Sequence, residues 1–400
     1  MKRVVLSMLA VSAILFTSCS DDNENVEPTV EAPATYTFER GGNSTVSFTG
    51  QTIRIKMAEK LITAMKDNSK TEVELDSMFA RKLTTHTYFN DPILDGSDKN
   101  VRSKVAASYD YFNQNSTEAN EIKATLDGYI AKQVSEVFPN WNVDAVAGTA
   151  GKIQQAGGGT TRYVNAKGLE YNQALAKSLI GALMMDQMLN NYLSTTVLDG
   201  VNNINRKNND ADVLSDGKNY TEMEHKWDEA YGYLYGNEAD PASPTLDVDP
   251  FLSEYVLKVD EDADFKGIAK DIFEAFKLGR AAIVAKDYQL RDKQIAIIKE
   301  AISKVIAIRG VFYIQKGKDL VTSADKASMF HSLSEGYGFI YSLRFSQNPQ
   351  GTPYLSTTDI KGFLDTLENG NGFWDVKEAD LDNISTKIAT AFGFTVNQVK

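Results

Sequence analysis

Ile53, Met57, Leu61 and Met65 recur at every fourth position of QTIRIKMAEKLITAMKD, residues 51–67. A helix gathers such positions on one side, so this stretch reads as an amphipathic helix. Similar patterns return in VRSKVAASYDYFNQ (101–114), EIKATLDGYIAKQVSEVF (121–138) and NQALAKSLIGALMMDQMLNNYL (172–193). They return again in FKGIAKDIFEAFKLGRAAIVAK (265–286), KQIAIIKEAISKVIAIRGVFYIQKG (293–317) and LDNISTKIATAF (381–392). Strand-like alternation occurs only near the start, where YTFER and STVSF flank Gly41-Gly42 and predict a small hairpin. Between the helical stretches lie breaker-rich segments: FPNWNVDAVAG, AGGGTTRY, NRKNNDADVLSDG and NEADPASPTLDVDP. The expected fold is mostly α: helical bundles, two of them pseudo-repeated, with a small N-terminal β-hairpin.

Ahead of the hairpin the pattern is different. Lys2 and Arg3 precede an apolar run from Val4 to Phe16, and Thr17-Ser18 then lead into Cys19. This is the layout of a signal peptide, and the run is too short for a comfortable membrane-spanning helix. FTSC resembles a relaxed bacterial lipobox, which makes 1–18 a lipoprotein signal peptide and Cys19 the lipidated residue. An ordinary cleaved leader with an incidental cysteine is the alternative. SDDNEN and VEPTVEAPAT follow, too polar and proline-rich to build a core, so 19–35 reads as a flexible acidic tether. The acidic run also resembles the surface-export signal of Bacteroidota lipoproteins. Residues 36–400 are left as the helical domain.

Within that domain a phrase is repeated. HKWDEAYGYLY starts at His225 and HSLSEGYGFIY at His331, in a chain with three histidines. Aligned on them, the copies (223–235 and 329–341) share Met223/Met329, Glu229/Glu335, Tyr231/Tyr337, Gly232/Gly338 and Tyr235/Tyr341. A duplicated helix is the economical explanation. Thr221 and Glu224 have the spacing of a capping box that starts the first copy, and the second should start near Thr322 or Ser323. At about 100° per residue, His, Glu and Gly of each copy fall on one stripe. Glycine within a helix costs about 1 kcal/mol relative to alanine. Its place on both stripes predicts a close helix crossing at Gly232 and at Gly338, the motif helices facing each other or equivalent neighbours. Met223 and Trp227 would pack on the opposite side.

Two roles suit the stripe. One is structural, a buried His–Glu hydrogen bond that fixes register. The other is a polar or metal-binding centre of His225, Asp228, Glu229, His331 and Glu335, for which imidazole and carboxylate suit zinc or iron. Glu222-x-x-His225 matches half of a ferritin-like di-iron site, but Ser328 stands where the second glutamate is needed, which argues against a di-iron oxidase. Other motifs are weaker. AGGGTTRY lacks the Gly-Lys-Ser/Thr of a phosphate loop and reads as a mobile loop. Asp260, Asp262 and Asp264 have calcium-loop spacing, but Phe265 replaces the needed glycine, so an acidic turn is expected. HExxH and GxSxG are absent, and His86 stands alone.

Composition narrows the classes. With 42% hydrophobic and 24% charged residues the chain is ordinary globular material. A net charge of −12 argues against nucleic acid as a partner. The single cysteine excludes an intramolecular disulfide and a four-cysteine zinc site.

YTFER…STVSFTGQTIR and HKWDEAYGYLYG resemble a family of roughly 400-residue Bacteroidota lipoproteins with no assigned function. More distantly the chain resembles the imelysins, envelope proteins of two helical bundles linked to iron uptake and once classed as peptidases, which carry G-x-H-x-x-E on a helix. Here Met223 replaces that glycine and Asp228 that glutamate, while His331 has Ser334 at the acid position. The resemblance implies an outer-membrane lipoprotein, at the cell surface or facing the periplasm, that meets the membrane through Cys19 and an outer-membrane transporter or receptor as partner. The expected function is non-catalytic binding of a ligand or partner, linked to metal or haem acquisition. The alternatives are a metal-dependent, peptidase-like hydrolase using the paired His/Glu residues, and a glycan-binding accessory protein, since the chain is rich in Tyr and Trp.

Overall fold

A computed structural model describes residues 30–399 apart from 84, 86 and 114. Cys19, the signal segment, His86 and the first part of the tether lie outside the described residues. The expected N-terminal hairpin is present: β1 (Glu39–Arg40) pairs antiparallel with β2 (Asn43–Ser44). Gly41 and Gly42 both take positive φ (60° and 77°), as a tight hairpin turn demands and as glycine does without steric cost.

The helices that position the candidate site are α1 (Thr49–Ala64), α2 (Ser116–Lys132), α3 (Tyr171–Leu179) and α4 (Glu222–Tyr235). They continue as α5 (Ile268–Ala285), α6 (Tyr288–Lys318), α7 (Lys326–Ser342) and α8 (Glu378–Ala391). At 31 residues α6 is the spine, roughly 45 Å long at 1.5 Å per residue. It packs on α5, α7 and α8, while α7 also lies along α3 and α4 lies between α1 and α5. One hydrophobic cluster runs through all these layers. Trp227 is fully buried there, with its indole N–H donating to the Phe276 carbonyl of α5 at 3.0 Å. No helix among the described residues is long and apolar enough to cross a membrane.

The sequence expectation fails at two places. Strands do occur beyond residue 50: β3 (Gly151–Gln154) pairs antiparallel with β4 (Thr161–Val164), and the glycines of AGGGTTRY form its turn. Trp141 stacks on Tyr163 of this second hairpin, with ring centroids 3.4 Å apart. The stretch 101–113, part of one expected helix over 101–114, folds as a 3-10 turn (Arg102–Lys104) and a single α-turn (Tyr109–Phe112). A tertiary contact overrides the local pattern. The buried Asp186 carboxylate accepts the amides of Ala107 and Ser108, each at 2.9 Å, and those amides cannot also serve a helix. The expected helix 172–193 does form, with π-helical turns at Ile180–Met185 and Met188–Tyr192.

Candidate functional site

Both repeats are helical. α4 opens with the expected capping box: Glu224 N–H donates to Thr221 Oγ1 at 3.3 Å, and Thr221 N–H to Glu224 Oε2 at 2.6 Å. α7 begins a few residues later than expected, capped by Asp325, whose side chain accepts the Ser328 amide. Both glycines mark close crossings, but the motif helices meet equivalent neighbours rather than each other. A Cβ on Gly232 would collide with Phe48 and crowd Gln51 at 3.1 Å, where α1 begins. A Cβ on Gly338 would lie 2.5 Å from Lys177 Cβ and 3.0 Å from the Ala174 carbonyl of α3. Each repeat is therefore a hairpin, the helix that follows it, and a motif helix notched by glycine against that helix: β1–β2, α1 and α4 in one, β3–β4, α3 and α7 in the other.

The correspondence extends to hydrogen bonds. Three residues beyond each histidine, a side chain accepts the amide at the head of the partner helix. Asp228 Oδ2 takes Ser47 N–H at 3.2 Å, and Ser334 Oγ takes Glu170 N–H at 2.9 Å. Four residues beyond, each glutamate is held by that partner helix. Gln51 donates to Glu229 at 3.0 Å, and Lys177 Nζ lies 3.5 Å from Glu335 Oε1.

The two histidine environments differ. His331 is paired at both ring nitrogens: Nδ1 lies 2.9 Å from Glu170 Oε1 and Nε2 3.5 Å from Glu335 Oε2. Lys177 supplies the cation there and sits over the Tyr255 ring at 4.7 Å. His225 stacks on Tyr220, with centroids 4.7 Å apart, and its Nε2 is 3.9 Å from Glu229 Oε2, too far for a hydrogen bond. Its buried Nδ1 has no hydrogen-bond partner among the described residues. Burial holds the His225 imidazole below its ordinary value; Glu229 pulls the other way. Burial would also raise Glu229, but Lys226, His225 and Gln51 bring it below the usual carboxylate range. Beside His225 opens a cavity of about 520 Å³, lined by Ser47, Gln51, Tyr192, Tyr220, Glu229 and a set of basic side chains.

Asp228 belongs to neither environment. It is fully buried, accepting Tyr36 Oη–H at 2.7 Å and Arg280 Nε–H at 3.1 Å. The same guanidinium donates to Glu224 at 3.0 Å and Thr45 at 3.0 Å, and Arg40 reaches Glu224 from outside at 3.1 Å. Burial pushes the Asp228 carboxyl up to about 6, against the pull of Arg280, Tyr36 and the Ser47 amide. This network clips the N-terminal hairpin to α4 and α5. Nothing in KLGRAAI announced it, because an arginine in an amphipathic helix reads as a solvent position; Arg280 is instead fully buried.

The five candidate side chains thus occupy three places rather than one centre. Among the described residues no three His, Cys, Asp or Glu side chains are grouped so as to hold a metal ion. The residues present do not fit zinc or iron: at His331 the cation is already Lys177, and His225 has one carboxylate beside it. Asp260 likewise serves structure, its carboxylate accepting the amides of Gly267 and Ala269 at 2.8 and 3.0 Å.

A family model described as "Domain of unknown function (DUF4856)" matches residues 33–395. No curated protein and no solved structure matches the chain.

Proposed function

The chain belongs to the DUF4856 family, and from its own residues we propose that it is a lipid-anchored envelope protein that binds a ligand without transforming it. The observation that carries this reading is the unequal fate of the duplicated histidine. One copy is paired with Glu170 and Glu335, whereas the other borders a cavity of about 520 Å³, of the size that holds a small molecule. His225 lies among Tyr220, Glu229 and Lys226, and among the described residues no three His, Cys, Asp or Glu side chains group to hold a metal ion. Hydrolysis and metal or haem acquisition are therefore not part of the proposal. Glycan capture by exposed rings is not either, since Trp227, Tyr231, Tyr233 and Tyr235 are buried core residues.

The anchor rests on the LAVSAILFTSC pattern ending at Cys19. Membrane fractionation of the full chain and of Cys19→Ala tests it. The wild-type protein should pellet with outer membranes and the variant should be released; equal retention of the two removes the lipoprotein. Binding is tested by thermal shift of the mature protein against small sugars, amino acids, carboxylates and phosphates. At least one class should raise Tm, and a flat response across the panel contradicts a binding role.

A further inference from the structure

The cavity beside His225 is basic in an acidic protein. The chain carries 54 Asp and Glu against 42 Lys and Arg, yet the charged residues lining this cavity are Arg54, Lys99, Lys104 and Lys218 against one carboxylate, Glu229. That carboxylate is already taken up by Lys226 at 3.1 Å and Gln51 at 3.0 Å. Lys99 pairs with Asp98 at 2.8 Å, but among the described residues Arg54, Lys104 and Lys218 reach no carboxylate. Arg54 instead donates to the Gly50 and Asn100 carbonyls, each at 3.2 Å, which holds its guanidinium at the wall. Lys104 is held below its ordinary value, first by burial and then by Arg54, Lys226 and Lys99, with Glu229 opposing.

Helix α1 adds to this field. It is 16 residues long, its N-cap Phe48 supplies no side-chain cap, and Thr49, Gly50 and Gln51 of its first turn line the cavity. The Gln51 amide turns back to the Phe48 carbonyl at 3.0 Å, which leaves the Thr49 and Gly50 amides and a partial positive charge at this helix end. The cavity of about 600 Å³ is mixed by contrast, with Asp110 and Asp292 set against Lys299. A concave site lined by uncompensated charge of one sign concentrates ligands of the opposite sign.

We propose that this cavity binds a small oxyanion carrying two or more negative charges, a phosphate ester or a polycarboxylate, held between the amino end of α1 and the Arg54, Lys104 and Lys218 side chains. The proposal rests on the ligand-binding reading above and gives it a chemical class. Cations that have no carboxylate partner in the free protein gain one on binding, and charge-assisted contacts of this kind are the stronger hydrogen bonds. The Tyr192 and Tyr220 rings would border the less polar part of the ligand.

The test uses the mature protein, with pyrophosphate and citrate as the two probes and glucose and leucine as neutral controls. Calorimetry at physiological salt should show one probe binding with Kd below about 0.1 mM, and the tighter one identifies the group. Lys104→Gln/Lys218→Gln should weaken that binding at least tenfold, whereas Lys361→Gln, which lines no part of the cavity, should leave it unchanged. Thermal melts establish that each variant is folded. Neutral ligands binding while both anions fail would overturn the oxyanion and leave the binding role standing. Anion binding that the double variant leaves intact would move the site elsewhere and overturn this one. Silence from all probes overturns both.

Discussion

The two copies of the motif helix agree in their backbone and differ in what they leave open. Position by position, α4 and α7 repeat the glycine notch, the side chain that accepts the partner helix's leading amide, and the glutamate held by that helix. The difference comes from the residue whose amide is accepted. In the second copy it is Glu170, buried, whose carboxylate satisfies His331 Nδ1. In the first it is Ser47, which has no side chain long enough to do so, and a cavity stands there instead. The matching positions pack alike in both helices, while the residue at the head of the partner helix decides whether the histidine is given a carboxylate or a cavity.

The largest effect is expected at Arg280, whose partners Glu224 and Asp228 align with Phe330 and Ser334 in the second copy. Removing one partner of a buried ionic network strands the other charges, at a cost of about 3–5 kcal/mol. Arg280→Ala should therefore lower stability by that amount in denaturant titration, and the N-terminal hairpin should become susceptible to protease first. A loss under about 1 kcal/mol would mean that Glu224 and Asp228 are not buried as described. Next in size are the glycine notches. Gly232→Val and Gly338→Val should each cost about 1–3 kcal/mol, as overpacking does, and the two should be alike because both press on a neighbouring helix. Tolerance at one only would show that the crossings are not equivalent.

The smallest effect concerns acid. His225 is held below 6.5 by burial, with Glu229 and Glu222 pulling up and Lys226 pulling down. Its folded-state value is the lower one, so the unfolded chain takes the proton first as pH falls. His225 therefore withdraws stability progressively from about pH 6.5 down through its folded-state value. The His225 ring signal followed by NMR should titrate below 6.5; a midpoint at or above 6.5 would show an imidazole more solvated than the Tyr220 stack allows.

Much of this was legible in the sequence because it is local. Gly41-Gly42, the Thr221–Glu224 box and the fourfold apolar spacing of α1 are decided within a few residues, and they fold as the pattern predicts. The glycine notches were legible too, since an otherwise costly residue recurs in both copies. Their partners were not: which helix presses into a notch depends on the packing of distant segments, α1 for Gly232 and α3 for Gly338. The same limit hid the second hairpin, where Gly157–Gly159 mask the strands around them, and residues 101–113, whose amides Asp186 captures from far along the chain. It also hid the basic cavity, because Arg54, Lys99, Lys104 and Lys218 come from segments that each read as an ordinary solvated surface.

The difference between His225 and His331 is measured directly by titrating ¹³C-histidine-labelled protein with pyrophosphate or citrate, each signal assigned by a His→Gln variant. The His225 resonance should shift saturably with the anion while that of His331, already paired with Glu170 and Glu335, stays in place. Movement of His331 alone, or of both rings together, would contradict it.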